Sequence, residues 1–467
     1  MSDLMTTTAI SNTVILSDEQ LAIARFVDEG LGNILVRARA GTGKTFLCRQ
    51  CAPLMRGRIA YVVFGKKNAA EAQDKFAADG TKVDIGTFHS FGFRAIRKAY
   101  KGVKIEGTGP GNAGFKKFER IVEKLEVPSY LMGFVQKAMS LGMQSGFGIS
   151  DVAPLNDPQA WLDLVAHHNL AEEIGEDNVA LRLHGQQKLV QDGCRYAAKA
   201  IKLSIQMAHE VISFDDMIYI PLVLNLAIDQ YDWVIGDEFQ DSNAVRRLFA
   251  QRMMKTHGRG MFVGDDRQAI MGFTGADNDA LDIVTRRFDC TVFPMTVTRR
   301  CSQAVVKIAQ NLVPDYRAHA NNAAGAVIEC TEEEFGAFTF VPGDDAVICR
   351  NTAPLVKVAY SLISRGVPAH VEGKEIGKGL IALINRWKSI RTITALTDKL
   401  NDYRDNEVAK LTAAKKERAA EAVADKVETI FSIMATLPTH ATVDTLRADI
   451  EALFQNTPDG HRSPTVT

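Results

Sequence analysis

Cysteine is scarce, seven in 467 residues, which excludes a disulfide framework as the basis of the fold. Cys48 and Cys51 form a CxxC pair, but no second pair and no nearby histidine accompany it. It reads as two buried positions on a helix face, not as zinc ligands or a redox couple. His167 and His168 lack a Cys or acidic partner at ligand spacing and read as surface residues. No apolar run approaches the length of a membrane span. Met1 to Ser17 lacks the basic and apolar regions of a signal peptide. The expectation is a soluble protein with no membrane partner, cytoplasmic, or nuclear if the source is a eukaryote. An excess of either charge is missing too: 55 Lys+Arg against 56 Asp+Glu leave a net charge of -1. Any nucleic-acid surface must therefore be a local patch. What remains is an ordinary globular composition, 46% hydrophobic and 24% charged, long enough for roughly two to four domains.

The stretch from Ile34 to Thr45 organises the chain. An apolar strand-like run, Ile34 to Val36, feeds a small-residue loop that closes in Gly-Thr-Gly-Lys-Thr, and helix-forming residues follow from Phe46. This is the strand–loop–helix context of a P-loop. Gly41 and Gly43 let backbone N–H groups turn inward around phosphate oxygens. The following helix points its positive end at the same anion. Residues Ala40, Gly41, Thr42, Gly43, Lys44 and Thr45 thus form a nucleoside triphosphate cradle. Lys44 would reach the β- and γ-phosphates, and the Thr45 hydroxyl would hold Mg²⁺. Ala38 stands where the pattern usually has its first Gly.

Upstream, Ser17 is a helix N-cap with Asp18 and Glu19 in the first turn, and Gln20 is placed to read an adenine edge. Downstream, Ile59 to Phe64 is a buried strand and Lys66 to Ala78 a helix. Phe64 at the strand end, with Lys66 and Lys67 following, suits a base stacked above a backbone phosphate. Val83 to Gly92 is a strand and turn in which Thr87 and His89 supply donors. From about Gly107 to Met207 the αβ rhythm gives way to helical patterning, as in an insertion. The sheet is expected to resume with Ser213 to Met217 and then Tyr231 to Gly236, which delivers Asp237 and Glu238. Beside a P-loop, Asp237 would hold Mg²⁺ and Glu238 would act as general base on water. Gly260 to Ala276 is a further strand and loop, with Gln268 near the γ-phosphate and Phe273 as a second stacking ring. Arg299 and Arg300 stand before another helix, where an Arg can stabilise transferring phosphoryl charge.

A second αβ set follows: strands at Ala326 to Cys330, Asp345 to Arg350 and Pro368 to Val371, and a helix from Ala353 to Arg365. Asp398 to Met434 is Ala/Glu/Lys-rich and reads as a solvated helical arm. Residues 456–467 read as a loop-like tail, although Ser463 to Thr467 has the look of an approach to a strand.

In order, Leu16 to Gln20, Ala38 to Thr45, Val63 to Glu71, Gly86 to Ser90, Asp237 to Asp241, Gly264 to Ala276 and Thr298 to Ser302 resemble the successive motifs of the UvrD/Rep branch of superfamily 1 DNA helicases. The Phe-Asp-Asp at Phe214 and the Thr-Phe-His-Ser at Thr87 are similar to the F-box helicase subgroup. The resemblance implies an α/β P-loop NTPase with RecA-like parallel sheets and helical insertions. It also implies ATP and Mg²⁺ as cofactors, single-stranded DNA and duplex junctions as partners, and 3′ to 5′ translocation. On that basis Phe64 and Phe273 are base-stacking rings, His89 and Thr87 strand contacts, Gln268 a γ-phosphate sensor, Arg299 an adenine-packing residue and Arg300 a transition-state stabiliser. The expected division is a first RecA-like domain (1–106 and 208–298) with a helical insertion (107–207). A partial second domain (299–395), a helical arm (396–455) and a tail (456–467) follow.

The chain departs from the family pattern at Thr274, where an Arg usually follows the stacking ring, and at Arg299, where a Tyr usually packs on adenine. Neither the fifth nor the sixth family motif is found before Thr467. The second RecA-like domain is therefore expected to be incomplete. Its remainder lies on a second polypeptide, or the gene is interrupted, or the chain is a shortened copy with reduced activity. A different class of function, an ATP- and DNA-binding protein that does not unwind duplexes, stays open. A P-loop small-molecule kinase would leave the aromatic and basic motifs unexplained.

Overall fold

The structure is a computed structural model. It describes residues 16–30, 32–106, 116–150, 152–168, 170–173, 185–269, 279–341, 344–365, 367, 369–371, 374–387, 389–413, 417–454 and 465–466. The chain divides into two compact units, Met1–Val327 and Ile328–Thr467.

In chain order the strands of the first unit are β1 (Asn33–Ala38), β2 (Ile59–Val63), β3 (Asp84–Thr87), β4 (Lys104–Ile105), β5 (Val211–Ile212), β6 (Tyr231–Gly236), β7 (Met254–Gly264), β8 (Cys290–Met295), β9 (Val297–Thr298) and β10 (Arg317–Ala318). Six of them form one sheet in the order β3-β2-β6-β7-β1-β8. Every pairing in it is parallel, so all six carboxyl ends share one edge.

The sheet is buried on both faces, as a parallel sheet must be. Side chains alternate along each strand. Ile34, Val36, Tyr61, Val63, Ile235 and Met261 face a core closed by the helices Asp18–Glu29 and Lys44–Cys51. Leu35, Val62, Val234 and Phe262 face the opposite core, which continues into the helical insertion. Cys48 and Cys51 are fully buried in the first of these cores, and burial pushes the Cys51 thiol up to about 12. They are packing residues, as their helical spacing suggested.

The insertion is built on the helices Lys117–Lys124, Met132–Ser145, Pro158–His167 and Gln186–Gln206. It springs from the β4–β5 ladder, in which Lys104 pairs with Val211 and Ile105 with Ile212. That ladder corrects the expectation that the main sheet resumes at Ser213. Residues 213–215 form a turn into the helix Asp216–Val223, and the main sheet resumes only at β6. A buried ion pair ties the insertion's base together. Lys117 Nζ lies 2.7 Å from Asp216 Oδ2, and Asp216 also accepts from the Ser204 hydroxyl and the Ser213 N–H. His167 is exposed and His168 half-buried, with their rings edge to face.

β9 and β10 pair beside the main sheet, so residues 299–327 pack with the first unit and the division falls after Val327. Ala326 to Cys330, expected as a strand, joins no ladder and is exposed along its length.

In the second unit β11 (Ala346–Val347), β12 (His370–Val371) and β13 (Thr465–Val466) form a parallel sheet in the order β11-β13-β12. Thr465 and Val466 are thus a central strand rather than loop. The helices Thr352–Ser364, Lys374–Ile384, Ile393–Ala413, Glu417–Met434 and Val443–Leu453 surround one core. The solvated arm expected over Asp398 to Met434 is therefore corrected. Val427, Ile430 and Ile433 recur at helical spacing and are fully buried with Leu396 and Leu400. The abundant charges occupy the other faces. Asp425 accepts from the Thr352 and Ala353 N–H groups, each at 2.9 Å, placing a carboxylate on the positive end of a neighbouring helix.

Candidate active site

The helix Lys44–Cys51 starts directly from the loop after β1, with Gly43 as its N-cap. Gly41 has φ +69 and Gly43 φ +92, backbone conformations that glycine adopts freely. At Gly41 space matters as well, because an added Cβ would lie 2.6 Å from Thr298 Oγ1 and 2.7 Å from Arg300 Cβ. The loop is thus packed against the segment carrying Arg299 and Arg300, and the Arg299 N–H donates to the Gly41 carbonyl at 3.1 Å. Both arginines are exposed and stand just ahead of the helix Gln303–Ala309.

Gln20 lies against the same loop. Its Oε1 accepts from the Ser17 N–H in a capping box, and its Nε2 donates to the Thr42 carbonyl at 3.4 Å. The residue is buried. The Thr42 hydroxyl donates to the Arg39 carbonyl, and the Tyr316 hydroxyl donates to the Ala40 carbonyl at 2.8 Å.

β6 delivers Asp237 and Glu238 to this edge. Thr45 Oγ1 is 3.3 Å from Asp237 Oδ2, and Lys44 Nζ is 2.5 Å from Glu238 Oε2. Glu238 has φ +52, a left-handed conformation costing on the order of 1–3 kcal/mol in a non-glycine residue. That backbone twist turns its side chain toward Lys44. Asp237 also accepts from the Tyr61 hydroxyl at 2.5 Å. Burial pushes the Asp237 carboxyl above its ordinary range; the Tyr61 hydrogen bond opposes this and the neighbouring Glu238 adds to it. Burial likewise raises the Tyr61 phenol, keeping it a donor. Asp241 is pushed up to about 6 by burial and then by Glu238, and its Oδ1 has no hydrogen-bond partner. Gln268 is exposed on the turn Asp266–Gln268, which follows β7.

The residues fit a magnesium-bound nucleotide. The glycine loop turns its backbone around a cradle, a lysine stands at the start of the helix, and a hydroxyl and a buried carboxylate face each other as potential metal-ligating oxygens. Gln20 borders the loop, but its amide is already committed to Ser17 and Thr42.

Beyond this cradle the same sheet edge carries aromatic groups. Phe64, at the end of β2, is half-buried. It meets Phe88 edge to face at 6.1 Å, and the Arg246 guanidinium lies 4.9 Å from its ring centre. Lys66 is exposed at the start of the next helix. Thr87 is buried and accepts from the Ser90 N–H as an N-cap, so its hydroxyl serves the helix first. His89 stacks on Phe214 at 3.6 Å. Burial, then Arg246 and Lys66, lower its pKa from 6.5 to about 3, so the imidazole is neutral. Phe273 and Thr274 lie outside the described residues.

Several residues lining this edge were not singled out in the sequence: Arg39, Tyr61, Gln240 and Arg246; Phe214 entered only within the Phe-Asp-Asp string, without a role of its own. Tyr61 had a signal as the one hydroxyl in an otherwise apolar strand, and Arg39 as the one charge among the small residues of the loop. Phe214 is 61% exposed, an exposure that residue type alone does not forecast.

This P-loop sheet, with carboxylates on the adjoining strand end, defines an α/β protein of the P-loop, RecA-like fold class. More specifically, the chain belongs to the UvrD/REP helicase N-terminal domain family, whose model matches residues 16–289. It is similar to DNA helicase II of Haemophilus influenzae, 24% identical over 310 residues, covering 61% of this chain and 38% of that protein. It is also similar to ATP-dependent DNA helicase Rep of Escherichia coli, 24% identical over 304 residues, covering 60% and 41%. The Rep protein of Salmonella typhimurium is 25% identical over 314 residues, again covering 60% and 41%. The chain spans about two fifths of the length of these curated relatives.

Proposed function

We propose that this chain is the ATP-hydrolysing and strand-gripping part of a DNA helicase that translocates 3′ to 5′ on single-stranded DNA in repair, recombination or replication. The observation that carries the reading is the convergence of Lys44, Thr45, Asp237 and Glu238 at one sheet edge, with Phe64, His89 and Phe214 on adjoining elements of that edge. Residues 1–106 and 208–298 act as the first RecA-like domain and 107–207 as its insertion.

Bound at this edge, magnesium and ATP supply the metal charge and the phosphoanhydride whose hydrolysis drives movement. Lys44 binds phosphate oxygens once it leaves Glu238. Thr45 and Asp237 hold the metal, and Tyr61 fixes the orientation of the Asp237 carboxylate. Glu238, freed by Lys44, orients a water and accepts its proton as general base. Gln268 senses the terminal phosphate, Arg300 offsets charge developing on it, and Arg299 packs near the adenine together with Gln20. Phe64, Phe214 and Phe273 present rings to successive bases. Stacking suits a motor because every base has a π-face, so grip does not depend on sequence. Lys66 meets the backbone phosphate, and Thr87 and neutral His89 offer polar contacts.

The extent of the family match favours a second reading. The matched region ends at residue 289, and Ile328–Thr467 forms a separate unit beyond it. On this reading the chain binds ATP and DNA without unwinding, or unwinds only with a second polypeptide. Strand displacement on a forked duplex separates the two. Displacement by the purified chain supports the helicase. Its absence, with ATP and DNA both bound tightly, selects the second reading.

A further inference from the structure

Arg39 sits inside the phosphate loop, yet none of the roles above uses it. Its guanidinium meets three carboxylates at once. Nη1 is 3.0 Å from Asp265 Oδ1 and 2.8 Å from Asp266 Oδ1, and Nη2 is 2.9 Å from Asp315 Oδ2. Nε adds two contacts of 3.1 Å to Asp315. The Arg39 side chain is 11% exposed and that of Asp265 only 3%. Burial alone would lower the Arg39 pKa; the hydrogen bonds to Asp315, Asp265 and Asp266 outweigh it and raise the pKa above its ordinary value.

Two paths leave this cluster. In one, the Asp265 N–H donates to Gln240 Oε1 at 3.1 Å, and Gln240 Nε2 donates to Glu238 Oε2 at 3.0 Å. Glu238 in turn holds Lys44, and the backbone from Lys44 back to Arg39 closes a ring. In the other, Asp315 leads to Tyr316, whose hydroxyl holds the Ala40 carbonyl, and to β10 and its partner β9. Arg299 follows β9 and is stitched to Gly41.

We propose that Arg39 is a positioning residue that couples the phosphate loop to two segments. Through Asp265 and Gln240 it reaches Glu238 and the turn bearing Gln268. Through Asp315 it reaches the 297–318 segment bearing Arg299 and Arg300. The proposal rests on the reading of this site as an ATP site. When Lys44 turns to phosphate, Glu238 loses its cation and is held by the Gln240 amide. The Gln240 amide is oriented by the Asp265 N–H, and the carboxylate of that same residue is too buried to be left without a cation. Arg39 supplies that cation, and its planar fork fixes three carboxylate directions together. A lysine at the same place would supply charge without the fork.

The test uses the full chain and the variants Arg39→Ala, Arg39→Lys and Asp315→Asn. Amide hydrogen exchange is followed with and without a non-hydrolysable ATP analogue and Mg²⁺, alongside steady-state ATP hydrolysis. In the wild type the analogue should slow exchange at 41–46, at 265–268 and at 315–318. Arg39→Ala should keep the protection at 41–46, with analogue affinity within about threefold, but lose it at the other two segments and lose about tenfold or more in kcat. Arg39→Lys should not restore kcat. Asp315→Asn, which alters only the more exposed arm, should uncouple 315–318 and leave 265–268 protected; it also serves if Arg39→Ala does not fold. Protection at all three segments in Arg39→Ala, or lost analogue affinity with unchanged kcat, would overturn the proposal. A wild type that gains no protection at 41–46 would sink the ATP reading itself, and this proposal with it.

Discussion

Lys44 Nζ and Glu238 Oε2 lie 2.5 Å apart, so the cation that would bind phosphate and the carboxylate that would activate water are each other's partner. When Lys44 turns to phosphate, Glu238 loses this partner and keeps the Gln240 amide. On the proposed reading, nucleotide entry would release the base at the moment its substrate arrives. Glu238→Gln should bind ATP at close to wild-type affinity and lose about 10²- to 10⁴-fold in kcat. Steady-state hydrolysis together with equilibrium binding of a fluorescent ATP analogue checks this, and a parallel loss of affinity would contradict it.

Tyr61→Phe removes one hydroxyl from a buried site and leaves Asp237 with one partner fewer. The expected effect is a higher Mg²⁺ requirement for hydrolysis and a stability loss of about 1 kcal/mol. Magnesium titration of kcat and urea unfolding measure the two separately.

The proposed DNA contacts divide by charge. Lys66→Ala should weaken single-strand binding and make the dependence of log affinity on log salt shallower by about 0.7, the share of one phosphate contact on a single strand. Phe214→Ala should cost about 1–3 kcal/mol of binding with the salt slope unchanged. His89→Ala should also leave the slope unchanged, because the ring is neutral. Its imidazole resonances should not titrate between pH 8 and 5, since its pKa is about 3. In that respect the folded protein binds fewer protons than the unfolded chain between about 6.5 and 3, so His89 contributes a loss of stability as pH falls through that window. His89→Asn should lessen it.

Asp241 has the opposite sign. Its carboxyl, raised from 3.8 to about 6, keeps its proton in the fold after the unfolded chain has released it. Stability from this group is lost as pH rises from about 4 to 6. Asp241→Asn should flatten unfolding midpoints measured across that range.

Lys117→Met should destabilise the first unit by about 3–5 kcal/mol, because Asp216 would be left buried without its cation. The double change Lys117→Met with Asp216→Leu should recover part of that loss. Thermal unfolding of the wild type and the two variants checks both statements.

The sheet, the phosphate loop and the helical insertion were legible in the sequence because each rests on a local rule. Apolar runs of strand length, glycines just ahead of Lys44 and the helical spacing after Lys117 can be read without a partner. What was hidden depends on pairing at a distance. The ladder at the base of the insertion rests on two residues at each of Lys104 and Val211, too few to show a period. The helices over Asp398 to Met434 read as solvated because their charges dominate the composition, while their burial depends on Leu396 and Leu400 meeting Ile430. Ser463 to Thr467 already read as an approach to a strand, but the central place of Thr465 and Val466 depends on β11 and β12 pairing on either side. At the site, the order Lys44, Thr45, Asp237, Glu238 was plain, whereas Arg39, Tyr61 and Gln240 act through contacts that only the fold creates.

The most direct measurement is ATP hydrolysis by the purified 467-residue chain with and without single-stranded DNA, in the wild type and in Lys44→Ala. Hydrolysis should rise on adding the strand and disappear in the variant. Hydrolysis that survives Lys44→Ala, or a wild-type rate indifferent to DNA that the chain demonstrably binds, would contradict the proposed function.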